Sequence, residues 1–182
     1  DIATDAVLEA WGVAYQQLAD ILGDAEEVIY DRVASSPGGW RDGRAFVVAH
    51  KVQESDEITS FHFAPADGGA VIVHEPGQYI GLRLQVGDQD ARRNYSLSAA
   101  SDEKGYRISV KRVPGGLVSN YLHDHVSVGD SIELFPPSGH FVLEHNDRAL
   151  VLISGGVGIT PTLAMLQAAL ATERPIHFIH SA

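Results

Sequence analysis

Arg92-Arg93-Asn94-Tyr95-Ser96-Leu97-Ser98 is the stretch of sequence from which the fold can be worked out. Its second half alternates apolar and polar residues, which is typical of a short β-strand, yet it begins with two adjacent cations. An arginine offers a planar, permanently charged group to a phosphate, a tyrosine ring offers a face to a flat heterocycle, and a serine offers a hydroxyl. The stretch therefore indicates either a site for an aromatic cofactor that carries phosphates or, equally well by itself, a polar strand end.

Other short strand-like segments lie on both sides of this stretch. They are separated by turns rich in glycine, proline and polar residues, and one helical segment, at about residues 117–125, interrupts them. Six or seven short strands at this spacing predict a small antiparallel barrel or sandwich. The other predicted strands are residues 45–52, 58–65, 78–84, 106–112 and 131–135.

The N-terminal part of the chain has a helical period instead. Apolar residues recur at three- and four-residue steps over residues 5–33, which predicts one amphipathic helix with Thr4 as a plausible N-cap and a possible interruption at Gly23. Its apolar stripe should pack on another part of the protein. The Ser-Ser-Pro-Gly-Gly-Trp run at 35–40 predicts a domain boundary.

The pattern changes again after Arg148. A continuous apolar run at 149–154 predicts a strand buried on both faces, and a glycine-rich turn, a helical pattern and a second strand at 175–180 follow it. Such a β-loop-α-β unit is the beginning of an α/β nucleotide-binding domain. Since the rest of a parallel sheet is not present, we expect this sequence to be a fragment of a longer protein.

Composition limits the classes of function. The formal net charge of −11 over 182 residues argues against a non-specific binder of nucleic acid or of anionic membranes, because such binders need a basic face. The chain has no cysteine, which excludes disulfides and thiolate chemistry, and its nine histidines are dispersed, so no metal site is expected. No apolar run is long enough to span a bilayer, and a cytoplasmic location is the expectation. Small molecules are the expected partners, and the sequence leaves the oligomeric state open.

Three glycine-bearing turns could contact phosphate. Residues 155–158 lie between a strand and a helix, where small residues allow close approach of a pyrophosphate and a helix N-terminus favours anions. Residues 114–120 could hold a second phosphate group or form a plain helix entry. The turn at 76–77 is more often only a turn before a strand, although Tyr79 could flank a ring.

With these segments in order, the chain resembles the ferredoxin-reductase-like flavoproteins and, among them, the flavohaemoglobins, which are nitric oxide dioxygenases. The broad resemblance is carried by residues 93–96, 116–119 and 155–161. The narrower one is carried by segments that include Ala10-Trp11-Gly12-Val13-Ala14-Tyr15 and Val118-Ser119-Asn120-Tyr121-Leu122-His123. The resemblance covers essentially the whole chain.

The resemblance implies an α+β fold with three parts. Residues 1–37 would be the C-terminal helix of a globin domain, 41–146 a six-stranded antiparallel Greek-key FAD-binding β-barrel with one helix, and 147–182 the start of an NAD(P)-binding α/β domain. NAD(P)H would reduce FAD, and electrons would pass singly to haem b, where oxygen converts nitric oxide to nitrate. The haem ligands would lie upstream of Asp1, so the haem belongs to the parent protein only, and the fragment would bind FAD without efficient turnover.

The resemblance also implies residue roles. Arg93 would pair with the FAD phosphates, Tyr95 would lie against the flavin, and Ser96 would hydrogen-bond near its reactive nitrogen. Glu26 would match a glutamate in a relay behind the haem's proximal histidine. The expected FAD-binding residues are Tyr79, Arg93, Asn94, Tyr95, Ser96, Gly116, Leu117, Val118 and Ser119, and the expected NAD(P)H-binding residues are Gly155, Gly156, Val157, Gly158, Ile159, Thr160 and Pro161.

Two other readings remain open from the sequence. One is a ferredoxin-type or oxygenase-coupled flavin reductase without a globin domain. The other is a β-barrel that serves as a structural or flavin-binding module without catalysis.

Overall fold

The computed structural model describes residues 4–181. Asp1 to Ala3 and Ala182, which the expected 1–37 and 147–182 segments include, lie outside the described residues. The elements follow one another as a long helix, six antiparallel strands with one helix among them, and a parallel strand pair with its connecting helix. Their bounds are α1 Asp5–Ala34, β1 Arg44–Gln53, β2 Ile58–Pro65, β3 Tyr79–Val86, β4 Gln89–Ser96, β5 Tyr106–Lys111, α2 Leu117–His125, β6 Ser131–Leu134, β7 Leu150–Gly155, α3 Ile159–Ala169 and β8 Ile176–Ser181.

The first six strands form one antiparallel sheet in the order β4-β3-β6-β1-β2-β5. The sheet curls until its two edge strands meet, because Leu97, directly after β4, forms an isolated bridge with Ile108 of β5. This architecture confirms the predicted α+β fold with a six-stranded antiparallel barrel. β4 begins earlier than the sequence predicted, since the two-residue turn Gly87-Asp88, with Gly87 at φ +58°, pairs it with all of β3.

The barrel core follows from the alternation of side chains along each strand. Alternate residues of β3 face the core: Ile80 and Leu82 are fully buried, and Leu84 is nearly so. Val118 and Leu122 of α2 pack on the same core. Alternation buries one face of a strand and leaves the other for solvent or ligands. Contacts with the barrel core therefore help to hold α2 in place.

Trp40 joins the predicted boundary segment to the barrel. Its indole ring lies 5.6 Å from the ring of Phe46 and 6.1 Å from that of Tyr106, and its Nε1 donates a hydrogen bond to the Leu134 carbonyl at 3.2 Å. A buried tryptophan usually needs such a partner for its N–H group. The end of the 35–40 segment is thus anchored in the core.

α1 is continuous through Gly23, so the predicted interruption does not occur. A single glycine inside a helix costs only about 1 kcal/mol, which the flanking helical pattern tolerates. Thr4 is the N-cap residue, but its side chain makes no capping hydrogen bond. No residue of α1 is buried, and the ring of Trp11 is 71% exposed, so the apolar stripe has no cover within residues 4–181.

The C-terminal unit has the predicted β-loop-α-β order. β7 and β8 are parallel, a 3₁₀ turn at Gly156–Gly158 follows β7, and α3 begins at Ile159. Pro161 lies in the first turn of α3, where a missing N–H does no harm. Leu152 and Met165 are at the centre of a small second core between the strand and the helix.

Candidate functional site

A cleft of about 530 Å³ lies where the end of β4, the outer face of β5, the N-terminus of α2 and the 3₁₀ turn meet. It collects segments that are far apart in sequence, and most of its lining comes from the stretches that the sequence singled out. Its lining residues are Arg93, Asn94, Tyr95, Ser96, Ser109, Lys111, Val113, Gly116, Leu117, Val118, Ser119, Val157, Gly158, Thr160 and Pro161.

β4 supplies a cation and an aromatic ring to this cleft. Arg93 pairs with Leu82 and Tyr95 with Ile80 across the β3–β4 ladder. The Arg93 side chain is exposed, and its Nη1 donates to the Arg92 carbonyl at 2.7 Å. Tyr95 is half-buried, and burial raises the pKa of its phenol, so the hydroxyl remains neutral at physiological pH. A fixed positive charge therefore lies beside a neutral ring.

The N-terminus of α2 supplies backbone amides. Gly116 is the N-cap residue, and no side chain caps the first turn, so its N–H groups are available to a ligand. The Val113 amide donates to the Ser119 hydroxyl at 3.2 Å, and a Cβ on Gly116 would lie 2.6 Å from that hydroxyl oxygen. A side chain at 116 would therefore displace the Ser119 hydroxyl and break its hydrogen bond to the Val113 amide. Val118 has its side chain in the core, which leaves only its backbone for a ligand.

The glycine turn of the C-terminal unit borders the same cleft and also a second, adjoining cavity. Val157, Gly158, Thr160 and Pro161 line the cleft, whereas Gly156 and Ile159 line the adjoining cavity of about 360 Å³. Gly155 ends β7 and lines neither of the two. The two cavities share a wall formed by Ser109, Lys111, Val157 and Thr160.

Tyr79 and Glu26 lie away from the cleft. Tyr79 lines a separate cavity of about 420 Å³ with Arg92, Phe135 and Tyr30 of α1. It precedes Ile80, which faces the core, so its side chain leaves the opposite face of β3. Asn94 lines both cavities and connects them. Glu26 is exposed on α1 and lines none of the three.

The sequence did not nominate three residues that line the cleft, namely Ser109, Lys111 and Val113. Ser109 and Lys111 alternate with the buried Ile108 and Val110, so they lie on the outer face of β5. This alternation was visible in the sequence, but nothing local indicated that the outer face of β5 borders a ligand site.

Two further observations bear on the kind of site. Among residues 4–181, no three histidine or carboxylate side chains come close enough together to hold a metal ion. Within the same residues, no helix combines the length and the apolar character needed to cross a membrane.

The fold and the cleft define an FAD-binding oxidoreductase domain. Residues 45–143 match the model of the oxidoreductase FAD-binding domain family, and the chain belongs to this family. Over its whole length the chain is similar to the flavohemoprotein of Burkholderia sp. (strain TH2), with 66% identity over 181 residues. The chain spans 46% of the length of that relative.

Solved structures agree with this assignment. The flavohemoglobin from Malassezia yamatoensis, determined with bound FAD and heme, matches 99% of this chain with 29% identity and a TM-score of 0.82, over 47% of its own length. The flavohem-like FAD/NAD-binding domain of nitric oxide dioxygenase from Vibrio cholerae matches 77% of this chain with 47% identity and a TM-score of 0.74, over 62% of its own length. The match to the flavohemoglobin extends to nearly the whole chain.

The cleft fits FAD on the chemistry of its own residues. Arg93 supplies a cation for phosphate, and the uncapped α2 terminus supplies amide donors. The half-buried Tyr95 ring offers an apolar face for an aromatic system.

Proposed function

We propose that this chain is the FAD-binding, NAD(P)H-oxidising part of a flavohemoprotein, in which electrons pass from NAD(P)H through FAD to a haem. The observation that carries this proposal is the cleft, which brings together residues 93–96, the α2 N-terminus, the end of the 3₁₀ turn and the first turn of α3. A phosphate-binding strand beside a nucleotide-type glycine turn is the arrangement that a hydride-transferring flavin site requires.

In this proposal each cleft residue has a role set by its chemistry. Arg93 binds the FAD phosphates, helped by the amides at the start of α2, since both favour an anion. Tyr95 packs against the flavin ring, and Ser96 holds a hydrogen bond near the reactive nitrogen. Bound FAD would supply the chemistry that accepts two electrons together and releases them one at a time.

The glycine turn would receive NAD(P)H from the other side. Gly156 has φ +49°, a backbone conformation that glycine adopts without strain, and the space around it is open. Val157 and Thr160 lie between the two cavities, so a nicotinamide approaching through the adjoining cavity would reach the flavin over them. The role of this chain is then to hold two rings in contact.

In the whole protein, the electrons would reach a haem in a globin domain, and oxygen bound there would convert nitric oxide to nitrate. α1 would be the last helix of that domain, and its exposed apolar stripe would pack inside it. Glu26 would join the hydrogen-bond relay behind the haem's proximal ligand. We also propose that the parent protein works in the cytoplasm on small molecules.

The globin-free flavin reductase is the second candidate. A globin-free reductase would have no helix that corresponds to α1. The flavohemoprotein from Burkholderia, in contrast, aligns over 100% of this chain, including α1. This favours the flavohemoprotein. The third candidate is a β-barrel module without catalysis. Flavin binding together with hydride transfer from NAD(P)H, both measured in the full-length protein, would exclude it.

Flavin titration of the purified chain tests the proposal. The chain is mixed with FAD, passed through a desalting column and examined by visible absorption and by circular dichroism. We expect retained flavin with a shifted visible band, together with a folded far-ultraviolet spectrum. A folded chain that retains no FAD would overturn the proposal.

A further inference from the structure

Asn120 closes the loop in front of α2. Its Nδ2 donates to the Val113 carbonyl at 3.0 Å and to the Gly116 carbonyl at 2.6 Å, so one side-chain amide holds both ends of residues 113–116. Asn120 is half-buried and does not line the cleft. Any effect that it has on a ligand must therefore pass through this loop.

The Asn120 side chain is itself fixed by a contact with Arg112. Its Oδ1 accepts a hydrogen bond from Arg112 Nη1 at 3.3 Å, and the Arg112 guanidinium makes a two-pronged ion pair with Asp124, at 2.9 and 2.7 Å. The Arg112 guanidinium lowers the pKa of the Asp124 carboxyl, which stays ionised at neutral pH. Asn120 and Asp124 lie one turn apart on α2, so Arg112 ties the end of β5 to one face of the helix.

These contacts fix where the polar backbone groups of the loop point. In a trans peptide the C=O and N–H groups point in opposite directions. The Gly116 carbonyl accepts two hydrogen bonds from Asn120, one from its backbone amide at 3.3 Å and one from its side chain at 2.6 Å. The Leu117 N–H of the same peptide unit therefore points out of the helix N-terminus, and Leu117 lines the cleft. Drawing the Val113 and Gly116 carbonyls onto Asn120 also keeps two negative dipole ends from turning toward an anion in the cleft.

We propose that Asn120 is a positioning residue for the phosphates of the cofactor: it holds the 113–116 loop so that the Leu117 N–H, rather than the Val113 and Gly116 carbonyls, faces the cleft. The inference rests on the proposed function, because it requires FAD in this cleft. It predicts a selective effect on the phosphate-bearing part of the ligand.

The experiment compares two ligands on the same 182-residue chain. FAD carries the pyrophosphate, whereas riboflavin has the same ring system without any phosphate. Dissociation constants for both are measured by flavin fluorescence for the wild-type chain, Asn120→Ala and the control Asn146→Ala. Asn146 also organises a turn, accepting a hydrogen bond from the Arg148 amide at 3.0 Å, but it does not line the cleft.

In Asn120→Ala we expect the affinity for FAD to fall by about 10-fold or more, the loss associated with about one charge-assisted hydrogen bond. The affinity for riboflavin should change by less than about 3-fold, a difference too small to represent a lost charge-assisted hydrogen bond. Asn146→Ala should leave both constants unchanged. Equal losses for FAD and riboflavin in Asn120→Ala, or no loss for either, would overturn the inference.

Arg112→Gln removes the guanidinium that donates to Asn120 Oδ1 and leaves residues 113–116 unchanged. The two dissociation constants are measured for this variant if Asn120→Ala does not yield folded protein. A selective loss of FAD affinity in this variant supports the inference, and an unchanged ratio of the two affinities overturns it. A wild-type chain that binds neither flavin would instead overturn the proposed function, and the inference with it.

Discussion

Arg92 and Arg93 are neighbours on β4, yet their side chains line two different cavities. Arg93 lines the cleft with Tyr95 and Ser96, whereas the Arg92 guanidinium lies over the Phe135 ring, 5.0 Å from its centroid, beside the separate cavity that also contains Tyr79. Alternation along a strand is the cause. The two arginines are therefore a natural pair for testing which cavity binds the cofactor phosphates.

Arg93→Ala should weaken FAD binding more than Arg92→Ala does. Loss of charge-assisted hydrogen bonds to phosphate costs about 1.5–3 kcal/mol, which corresponds to about a 10- to 100-fold rise in the dissociation constant. Arg92→Ala should raise it by no more than about 3-fold, because this side chain faces the other cavity. Flavin fluorescence titration of both variants measures the difference, and equal effects would refute the assignment of Arg93.

Lys51→Met should destabilise the barrel at the far end of α2. Lys51 Nζ donates to the carbonyls of Leu122, His123 and Val126, at 3.3, 2.7 and 2.6 Å, and so satisfies the C-terminal end of the helix. Leaving these carbonyls without a partner should lower the free energy of unfolding by about 1–3 kcal/mol. Urea denaturation provides the measurement.

Lys111→Met is the control for this change. The Lys111 ammonium lies 3.2 Å from the Glu57 carboxylate on the surface, with both side chains largely exposed, and such pairs contribute about 0–1 kcal/mol. A Lys51 variant no less stable than the Lys111 variant would contradict the capping role.

Gly38→Ala and Gly68→Ala distinguish two contributions to stability, the cost of a positive φ and the cost of a steric clash. Both glycines have positive φ, +70° and +67°, which costs an alanine about 1–2 kcal/mol. A Cβ at Gly38 would also collide with the Val71 backbone, whereas the space around Gly68 is open. We expect a loss of at least about 3 kcal/mol for Gly38→Ala and about 1 kcal/mol for Gly68→Ala, measured by denaturant unfolding. Similar losses would show that the contact with Val71 relaxes freely.

Stability should fall below neutral pH because of a buried histidine. Burial lowers the pKa of His74, which packs 6.0 Å from the Tyr106 ring, whereas in the unfolded chain a histidine titrates near about 6.5. Below that pH the unfolded chain binds a proton that the folded chain does not, so stability is greatest above about pH 6.5 and decreases as the pH falls toward the lowered pKa.

His74→Phe keeps an aromatic ring but removes the titration. Thermal unfolding between about pH 7 and pH 5.5, the range below the ordinary histidine pKa, should then show a shallower loss of stability than in the wild-type chain. Parallel curves for the two proteins would exclude His74 as a source of the dependence.

The order of elements could be predicted from the sequence because it depends on local period. The 3.6-residue period over 5–33 and the alternation in β1 and β2 gave element types and approximate bounds that the structure confirms. α3 begins at Ile159, so Ile159, Thr160 and Pro161, which follow the glycine turn in the sequence, belong to the first turn of the helix, where proline is acceptable.

The composition of the cleft was harder to predict because it depends on long-range pairing. Tyr79 is expected to flank the cofactor, and this role stays a prediction. In the structure, alternation along β3 places its side chain beside a separate cavity, and that cavity forms only because Arg92, Phe135 and α1 also reach it. Ser109 lies in an ordinary alternating strand, and only the approach of the 3₁₀ turn to β5 makes it part of a ligand site. The roles of the predicted site residues remain predictions until flavin binding is measured.

The wall shared by the cleft and the adjoining cavity has a thermodynamic consequence. Ser109, Lys111, Val157 and Thr160 face both spaces, so a molecule in one cavity rests against side chains that also shape the other. If FAD and NAD(P)H occupy the two, their binding free energies are coupled, and each must change the affinity of the other by the same factor. An affinity for either one measured alone would then differ from its affinity in the ternary complex.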